Sequence, residues 1–131
     1  MATQFPLTSF EGLRTPFYYY DLDLLRKTLE IIRNEARKQR VVVHYAVKAN
    51  ANPRILSHVQ MAGLGADCVS GGEIRAALQT GFSSDKIVFA GVGKADWEIN
   101  LALDHDIFCF NVESLPELEV INSLAAAKSK V

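Results

Sequence analysis

The chain has 131 residues, of which 49% are apolar and 22% charged, and its net charge is -1. This length suffices for one domain with its own core, and the composition argues against disorder, nucleic-acid binding or a membrane-surface role. No apolar run is long enough to cross a bilayer, and the first ten residues lack the profile of a signal peptide. Cys68, Cys109 and three scattered histidines show no metal spacing. We therefore expect free thiols in a reducing cytoplasm and no metal site.

Residues 1–20 form an irregular lead-in that ends in an aromatic run, Phe17 to Tyr20, of a composition typical of a strand. Asp21 is a suitable N-cap for a helix that begins directly after it. Apolar side chains then recur at helical spacing and predict the inward face of that helix: Leu22, Leu25, Leu29, Ile32 and Ala36.

The stretch from Val41 to Pro53 joins a β-branched run to a single lysine, Lys48, and then to small and amide residues. It predicts a buried strand that places one amine at its C-terminal end, before a loop and a helix. Because desolvation disfavours a charged lysine, Lys48 is either a solvated residue at the rim of the sheet or a nucleophile kept neutral by burial. The position of Lys48 alone favours the first alternative, a solvated residue at the rim of the sheet. His44, on the same strand face but deeper, is expected to be a core histidine.

From Val41 onward, a strand followed by a helix occurs four times with short links, which is the pattern of βα units. The strands are apolar nearly throughout, as in a parallel sheet covered by helices. After the first, we predict strands at Ala66–Val69, Ile87–Ala90 and Ile107–Val112, with helices from about Pro53, Ile74, Lys94 and just after Ser114. Two α/β architectures fit: an open doubly wound sheet, or half of an eight-stranded barrel. Length alone favours the open sheet.

Several glycines lie near the ends of the predicted strands. The run Gly91-Val92-Gly93-Lys94 lacks the Ser or Thr and the spaced glycine of a phosphate-binding loop, so we interpret its glycines, like those of Gly63-Leu64-Gly65, as turn residues. Gly71 and Gly72 could leave amides free to meet an anion at a helix N-terminus. A capping box formed by Ser70 and Glu73 explains them equally well.

Asp67 is a carboxylate near the C-terminal end of the second predicted strand, beside the strand that carries Lys48. An unpaired buried charge is expensive, so such a carboxylate is either paired or functional. A structural ion pair with Lys48 and a functional role both remain open at this point.

Three segments carry a family resemblance: Tyr45 to Asn50 (YAVKAN), Gly65 to Glu73 (GADCVSGGE) and Val112-Glu113-Ser114. In this order and spacing they resemble the diaminopimelate decarboxylases, which belong to the alanine-racemase-like group of pyridoxal-phosphate enzymes. Thr15 to Asp21 is similar to the N-terminal strand of the same family. The resemblance covers nearly the whole chain.

The resemblance implies a fold of parallel βα units that form the first half of a TIM-type (βα)8 barrel. Residues 21–131 would be the first four units, and residues 1–20 a lead-in and a strand belonging to a missing β-rich domain. It also implies pyridoxal 5'-phosphate as cofactor, Lys48 as the catalytic lysine that binds it through its amine, and Asp67 as an acidic residue near the cofactor. The small-molecule substrate would be meso-diaminopimelate, which yields L-lysine and CO2. Ornithine and arginine decarboxylases keep a variant of the motifs and remain close rivals.

Family members are much longer, so the resemblance indicates a truncated N-terminal fragment that is inactive by itself. Half a barrel would leave two open sheet edges and an open inner face, and we expect two or more copies to associate and cover them. The strand at Phe17–Tyr20 should be disordered or paired with a neighbour. A non-catalytic cofactor-binding or regulatory half-barrel module is the competing interpretation, because a fold does not guarantee a function.

Overall fold

The computed structural model describes residues 5–130. Within this range, helices and short strands alternate from residue 22 onward, as the sequence predicts. The helices are α1 (Leu22–Gln39), α2 (Pro53–Met61), α3 (Gly71–Thr80), α4 (Asp96–Asp104) and α5 (Leu115–Ala127). The strands are β1 (His44–Ala46), β2 (Gly65–Cys68), β3 (Ile87–Phe89) and β4 (Cys109–Phe110), and short 3-10 turns cover Leu7–Phe10, Val47–Ala49 and Ser84–Lys86. No described helix is both long enough and apolar enough to cross a membrane.

The four strands form one parallel sheet in the sequential order β1-β2-β3-β4. An open doubly wound sheet reverses its strand order at a switch point, whereas a βα barrel adds each strand beside the previous one. The observed order is therefore that of a half barrel. This confirms the fold that the family resemblance implies and overturns the preference for an open sheet based on length.

The core lies between the sheet and the helices. Alternate residues of the central strands point toward the helices, and Ala66, Cys68, Ile87 and Phe89 are 0% exposed. They pack with apolar residues of the helices, which include Leu29, Leu56, Val59, Ile74 and Ala102. The α1 prediction is confirmed, since Leu29 is buried and the other four predicted inward residues are half-buried.

The edge strands are shorter and more exposed than predicted. Strand β1 begins at His44, and Val41 and Val42 before it are 54% and 78% exposed. Strand β4 contains only Cys109–Phe110 instead of the six residues expected. Strands β1 and β4 each pair with one other strand of the sheet. On their outer sides, the described chain has no strand that would pair with them and cover their side chains.

Helix α5 covers the edge strand β4 and is also less buried than predicted. Ile121 is buried, Leu124 and Ala125 are half-buried, and Leu118 is 48% exposed, against the expectation that all four face inward. The helix has α4 on one side only, and its other flank has no covering element in the described part of the chain.

The aromatic run Phe17–Tyr20 forms no strand with any other part of residues 5–130. Its rings instead contact the 3-10 turn: Phe10 packs edge-to-face on Phe17 and on Tyr19, with ring centroids 5.3 and 5.1 Å apart. This agrees with the expectation that the run lacks its own sheet. Its assignment to a second domain stays a prediction, and residues 1–4 of the lead-in lie outside the described residues.

Candidate active site at the C-terminal edge of the sheet

The loops that follow the four strands lie along one edge of the sheet, because all strands are parallel. These loops contain Lys48, the Ser70-Gly71-Gly72 segment, the Gly91 to Lys94 segment and Ser114. Enzymes built on βα barrels place their active sites at this edge. The sequence motifs that were singled out therefore come together in space.

Lys48 lies in the 3-10 turn Val47–Ala49, directly after β1, and is exposed. The backbone after it is held in place: the Tyr45 hydroxyl donates to Asn50 O at 3.3 Å, and Asn50 Oδ1 accepts from Asn52 N at 2.9 Å. Within residues 5–130, no hydrogen bond or ion pair engages the Lys48 side chain. The amine is thus available at the predicted place, but the described residues do not provide the partial desolvation expected for it.

Asp67 faces away from the helices. The strand register aligns Ala46, Asp67, Val88 and Cys109 in one row across the sheet, on the face opposite the core residues. Asp67 Oδ1 is buried and has no hydrogen-bond partner in the described chain. The structural ion pair is not formed, because no Lys48 nitrogen lies within 4.0 Å of an Asp67 oxygen among these residues. A buried carboxylate oxygen without a donor is costly, which is typical of a functional group.

The two cysteines are free thiols, as predicted. Burial is the main cause that raises the pKa of Cys68 to about 12, and the nearby Glu73 and Asp67 carboxylates contribute to this rise. Burial and the Asp67 charge also raise the pKa of Cys109, which lies in the same row as Asp67, two strands away. Both thiols stay protonated near neutral pH, and neither is activated as a nucleophile.

The N-terminus of α3 shows a modified capping box. Ser70 Oγ accepts from Glu73 N as predicted, but the Glu73 carboxylate accepts from Val69 N at 2.9 Å, one residue earlier than the usual motif. The Gly71 amide donates to Glu98 Oε1 of α4 at 2.7 Å. The Gly71 amide is therefore not free to meet an anion.

Two glycines interpreted as turn residues are instead positions of close approach. A Cβ on Gly65 would lie 2.1 Å from His44 Cδ2, because the His44 ring covers that residue. A Cβ on Gly91 would lie 2.3 Å from Val69 O, because the loop after β3 runs against the loop after β2. His44 is half-buried and stacks on Phe108, with ring centroids 6.3 Å apart, so it is a packed histidine as expected.

Sequence reasoning missed Lys94, a second lysine at the same edge. Its side chain is 0% exposed, and its ammonium donates to Gly91 O at 2.6 Å, Asn111 O at 2.8 Å and Glu117 Oε1 at 2.5 Å. An amine engaged by three acceptors is not available as a nucleophile. A glycine-rich loop that ends in lysine was the only local signal. The acceptors lie up to 23 residues away in the chain.

The residues at this edge suit pyridoxal phosphate. The cofactor's aldehyde needs a primary amine, which Lys48 offers, and its positively polarised ring atoms suit a carboxylate such as Asp67, whose Oδ1 has no donor within residues 5–130. A primary amine at the C-terminal edge of the sheet is typical of pyridoxal-phosphate enzymes that have a βα barrel.

Residues 22–131 match the family described as "Pyridoxal-dependent decarboxylase, pyridoxal binding domain". The chain belongs to this family. Among curated relatives, it is 65% identical over 128 residues to the diaminopimelate decarboxylase of Bacteroides thetaiotaomicron, covering 97% of this chain and 33% of the relative. The chain thus matches the N-terminal part of these relatives and spans about a third of their length.

Solved structures of related decarboxylases support the same family and fold. The diaminopimelate decarboxylase of Helicobacter pylori in complex with L-lysine superimposes with a TM-score of 0.85 at 44% identity, over 94% of this chain and 31% of that one. The arginine decarboxylase of Paramecium bursaria Chlorella virus gives a TM-score of 0.67 at 29% identity, over 76% and 27%. The resemblance to the diaminopimelate decarboxylases and the half-barrel fold are confirmed.

Proposed function

We propose that this chain is the Lys48-bearing part of a diaminopimelate decarboxylase that converts meso-diaminopimelate to L-lysine and CO2. The observation that carries the proposal is the pair of an exposed amine at the end of β1 and an unpartnered buried carboxylate oxygen on the adjacent β2. The 65% identity to a curated diaminopimelate decarboxylase supports the substrate.

In this proposal Lys48 would hold the cofactor through its amine Nζ, which is exposed at the end of β1. Asp67 would accept a hydrogen bond from the bound group through Oδ1, which has no competing donor within residues 5–130. When bound, pyridoxal phosphate supplies the electron sink for the bond that breaks at the substrate α-carbon. The rigid turn around Lys48, fixed through Asn50, keeps the amine at the edge of the sheet.

The test is the visible absorbance of the cofactor bound to the full-length polypeptide. We expect Lys48→Ala to abolish this absorbance, because Lys94, the other lysine at this edge, is buried and engaged by three acceptors. Lys38→Ala is the matched control, since Lys38 forms only an exposed ion pair with Glu35 on α1. Persistence of the absorbance in the Lys48 variant would show that this residue does not bind the cofactor.

Residues 1–131 alone should release no measurable CO2 from diaminopimelate.

Decarboxylation of ornithine or arginine is the second candidate, and it is favoured by the structural similarity to the viral arginine decarboxylase. The lower identity of that relative, 29% against 65%, weighs against it. Steady-state CO2 release from diaminopimelate, ornithine and arginine by the full-length polypeptide separates these substrates. A protein that binds the cofactor but acts on none of them would support the non-catalytic module instead.

We also propose that the complete protein acts as a homodimer or a larger assembly in the cytoplasm. The open edges and exposed apolar residues of this chain support self-association. The free thiols are compatible with a reducing compartment.

A further inference from the structure

A buried ion pair joins the loops after β3 and β4. Lys94 is fully buried and the Glu117 side chain is 13% exposed. The Lys94 ammonium also donates to the carbonyls of Gly91 and Asn111, while Glu117 Oε2 accepts from Glu113 N at 2.9 Å. One side-chain pair therefore bonds to the end of β4, to the start of α5 and to the loop after β3.

The ion pair is also connected to the loop after β2, because Gly91 bonds to Lys94 and contacts that loop. The Gly91 carbonyl is bonded to Lys94, and its Cα packs directly on the Val69 carbonyl. Ala90 N donates to Cys68 O at 2.8 Å in the same region. Val69 lies two residues beyond Asp67. Contacts thus run from Lys94 through Gly91 and Val69 to the strand end that carries Asp67.

Stability alone is a weak reason to bury such a pair. Desolvation of two charges offsets most of their attraction, and apolar replacements of similar volume are often equally stable. Removal of one partner, by contrast, leaves an uncompensated buried charge and is strongly destabilising. A role that depends on the positions of the bonded loops accounts for this arrangement better than stability does.

We propose that Lys94 and Glu117 are positioning residues that hold the loops after β2 and β3 so that Asp67 meets the cofactor bound at Lys48. The inference rests on the proposed function. It adds a second lysine at this edge that serves as a fixed cation and does not bind the cofactor itself. Loss of the pair should therefore weaken cofactor binding independently of its effect on folding.

The experiment compares Lys94→Met, Glu117→Gln and the double variant in the full-length polypeptide. The two readouts are the Kd for pyridoxal phosphate, from titration of the visible absorbance, and the melting temperature. Both single variants should melt at lower temperature, and the double variant should recover because no unpaired charge remains. The Kd should rise about tenfold or more in all three, which is the size of effect expected when a hydrogen bond to a charged group is lost.

Lys128→Met is the matched control. Lys128 forms an ion pair with Asp104 far from the sheet edge, with 29% of its side chain exposed, so the Kd should not change. A double variant with wild-type Kd would overturn the proposal, as would a Kd that simply follows the melting temperature across the three variants. If the wild-type protein binds no pyridoxal phosphate, the proposed function is contradicted as well. If the wild type binds it and only the predictions for the variants fail, the positioning role alone is contradicted.

Discussion

Lys48 and Lys94 lie at the same edge of the sheet, and their surroundings give them opposite chemical properties. Lys48 is exposed and its amine has no partner within residues 5–130, whereas Lys94 is fully buried among three oxygen acceptors. A nucleophilic amine must be free to reach its target. Of these two lysines, only Lys48 meets this condition within the described residues.

The close approach of Gly91 to Val69 gives a prediction at the scale of single residues. In Gly91→Ala the new methyl group would lie 2.3 Å from the Val69 carbonyl, so the loop after β3 must move. We expect a loss of about 1–3 kcal/mol in the free energy of unfolding, as for other overpacked sites. Urea denaturation of the full-length polypeptide measures it. Gly72→Ala is the control, because the nearest atom to a Cβ there is 3.7 Å away. Equal stability of the two variants would contradict the close contact.

The charge of Glu117 predicts a pH dependence of stability. The hydrogen bond from Lys94 is the main cause that lowers the pKa of the Glu117 carboxyl below its ordinary value of 4.5, and burial opposes it. A carboxyl with a lowered folded-state pKa stabilises the protein above its unfolded pKa, and this stabilisation is lost as the pH falls through the folded value. The gap in unfolding free energy between wild type and Glu117→Gln should therefore be largest near neutral pH and shrink below pH 4.5. Urea titrations over this range measure it, and a constant gap would contradict the prediction.

At the scale of elements, two helices at the site begin with the same pattern of capping hydrogen bonds. Ser70 and Ser114 cap α3 and α5, and the glutamate three residues later accepts from the amide just before the serine. Helix α4 has Ala95 at its N-cap, and Glu98 supplies the acceptor for both Ala95 N and Gly71 N. All three glutamates accept from backbone amides at this edge, and Glu98 and Glu117 also connect separate loops, through Gly71 and Lys94 respectively.

Loss of one of these caps should have a moderate effect. Ser70→Ala removes the acceptor for Glu73 N, and we expect about 1 kcal/mol of destabilisation, which is typical of an N-cap serine. Thermal denaturation of the full-length polypeptide measures the change. Ser123→Ala in α5 is the control, because its hydroxyl only donates to Glu119 O inside an exposed helix and should be close to neutral. If Ser70→Ala were as neutral as the control, the cap would not contribute to stability.

At the scale of the whole molecule, the half barrel leaves apolar side chains exposed beside its edge strands, such as Val41 and Val42 before β1 and Phe108 before β4. The helices cover one face of the sheet, and the face with Ala46, Asp67, Val88 and Cys109 has no covering helix in the described chain. The unpaired edges of β1 and β4 add to this surface. An unpaired edge next to exposed apolar residues is a ready site for strand pairing.

We therefore predict that residues 1–131, purified alone, associate into particles of at least two copies, each of 14.5 kDa. Light scattering measures the mass. Val42→Lys should weaken the association, because Val42 precedes the open edge of β1 and is 78% exposed. Val92→Lys is the matched control, since Val92 is 83% exposed but lies in a loop. A stable monomer at high concentration would contradict the prediction.

Part of the candidate site was predictable because its signals are local. Lys48 follows an apolar run, and Ser70 and Ser114 stand three residues before a glutamate, so strand ends and helix starts could be placed from short stretches. The environment of Lys94 was not predictable, because its acceptors Asn111 and Glu117 are 17 and 23 residues away. Gly65 and Gly91 were misinterpreted for the same reason, since their close contacts come from other loops.

The sequence by itself determined the order of strands and helices, the caps at the helix starts and the lysine at the end of the first strand, because periodicity and capping act over a few residues. Only the tertiary structure decided which side chains are buried and paired. The Lys94 side chain is buried and paired with Glu117, Asp67 Oδ1 has no donor among the described residues, and Val42 is exposed at an edge. These outcomes depend on contacts between distant parts of the chain, and they form only when the sheet brings its loops together.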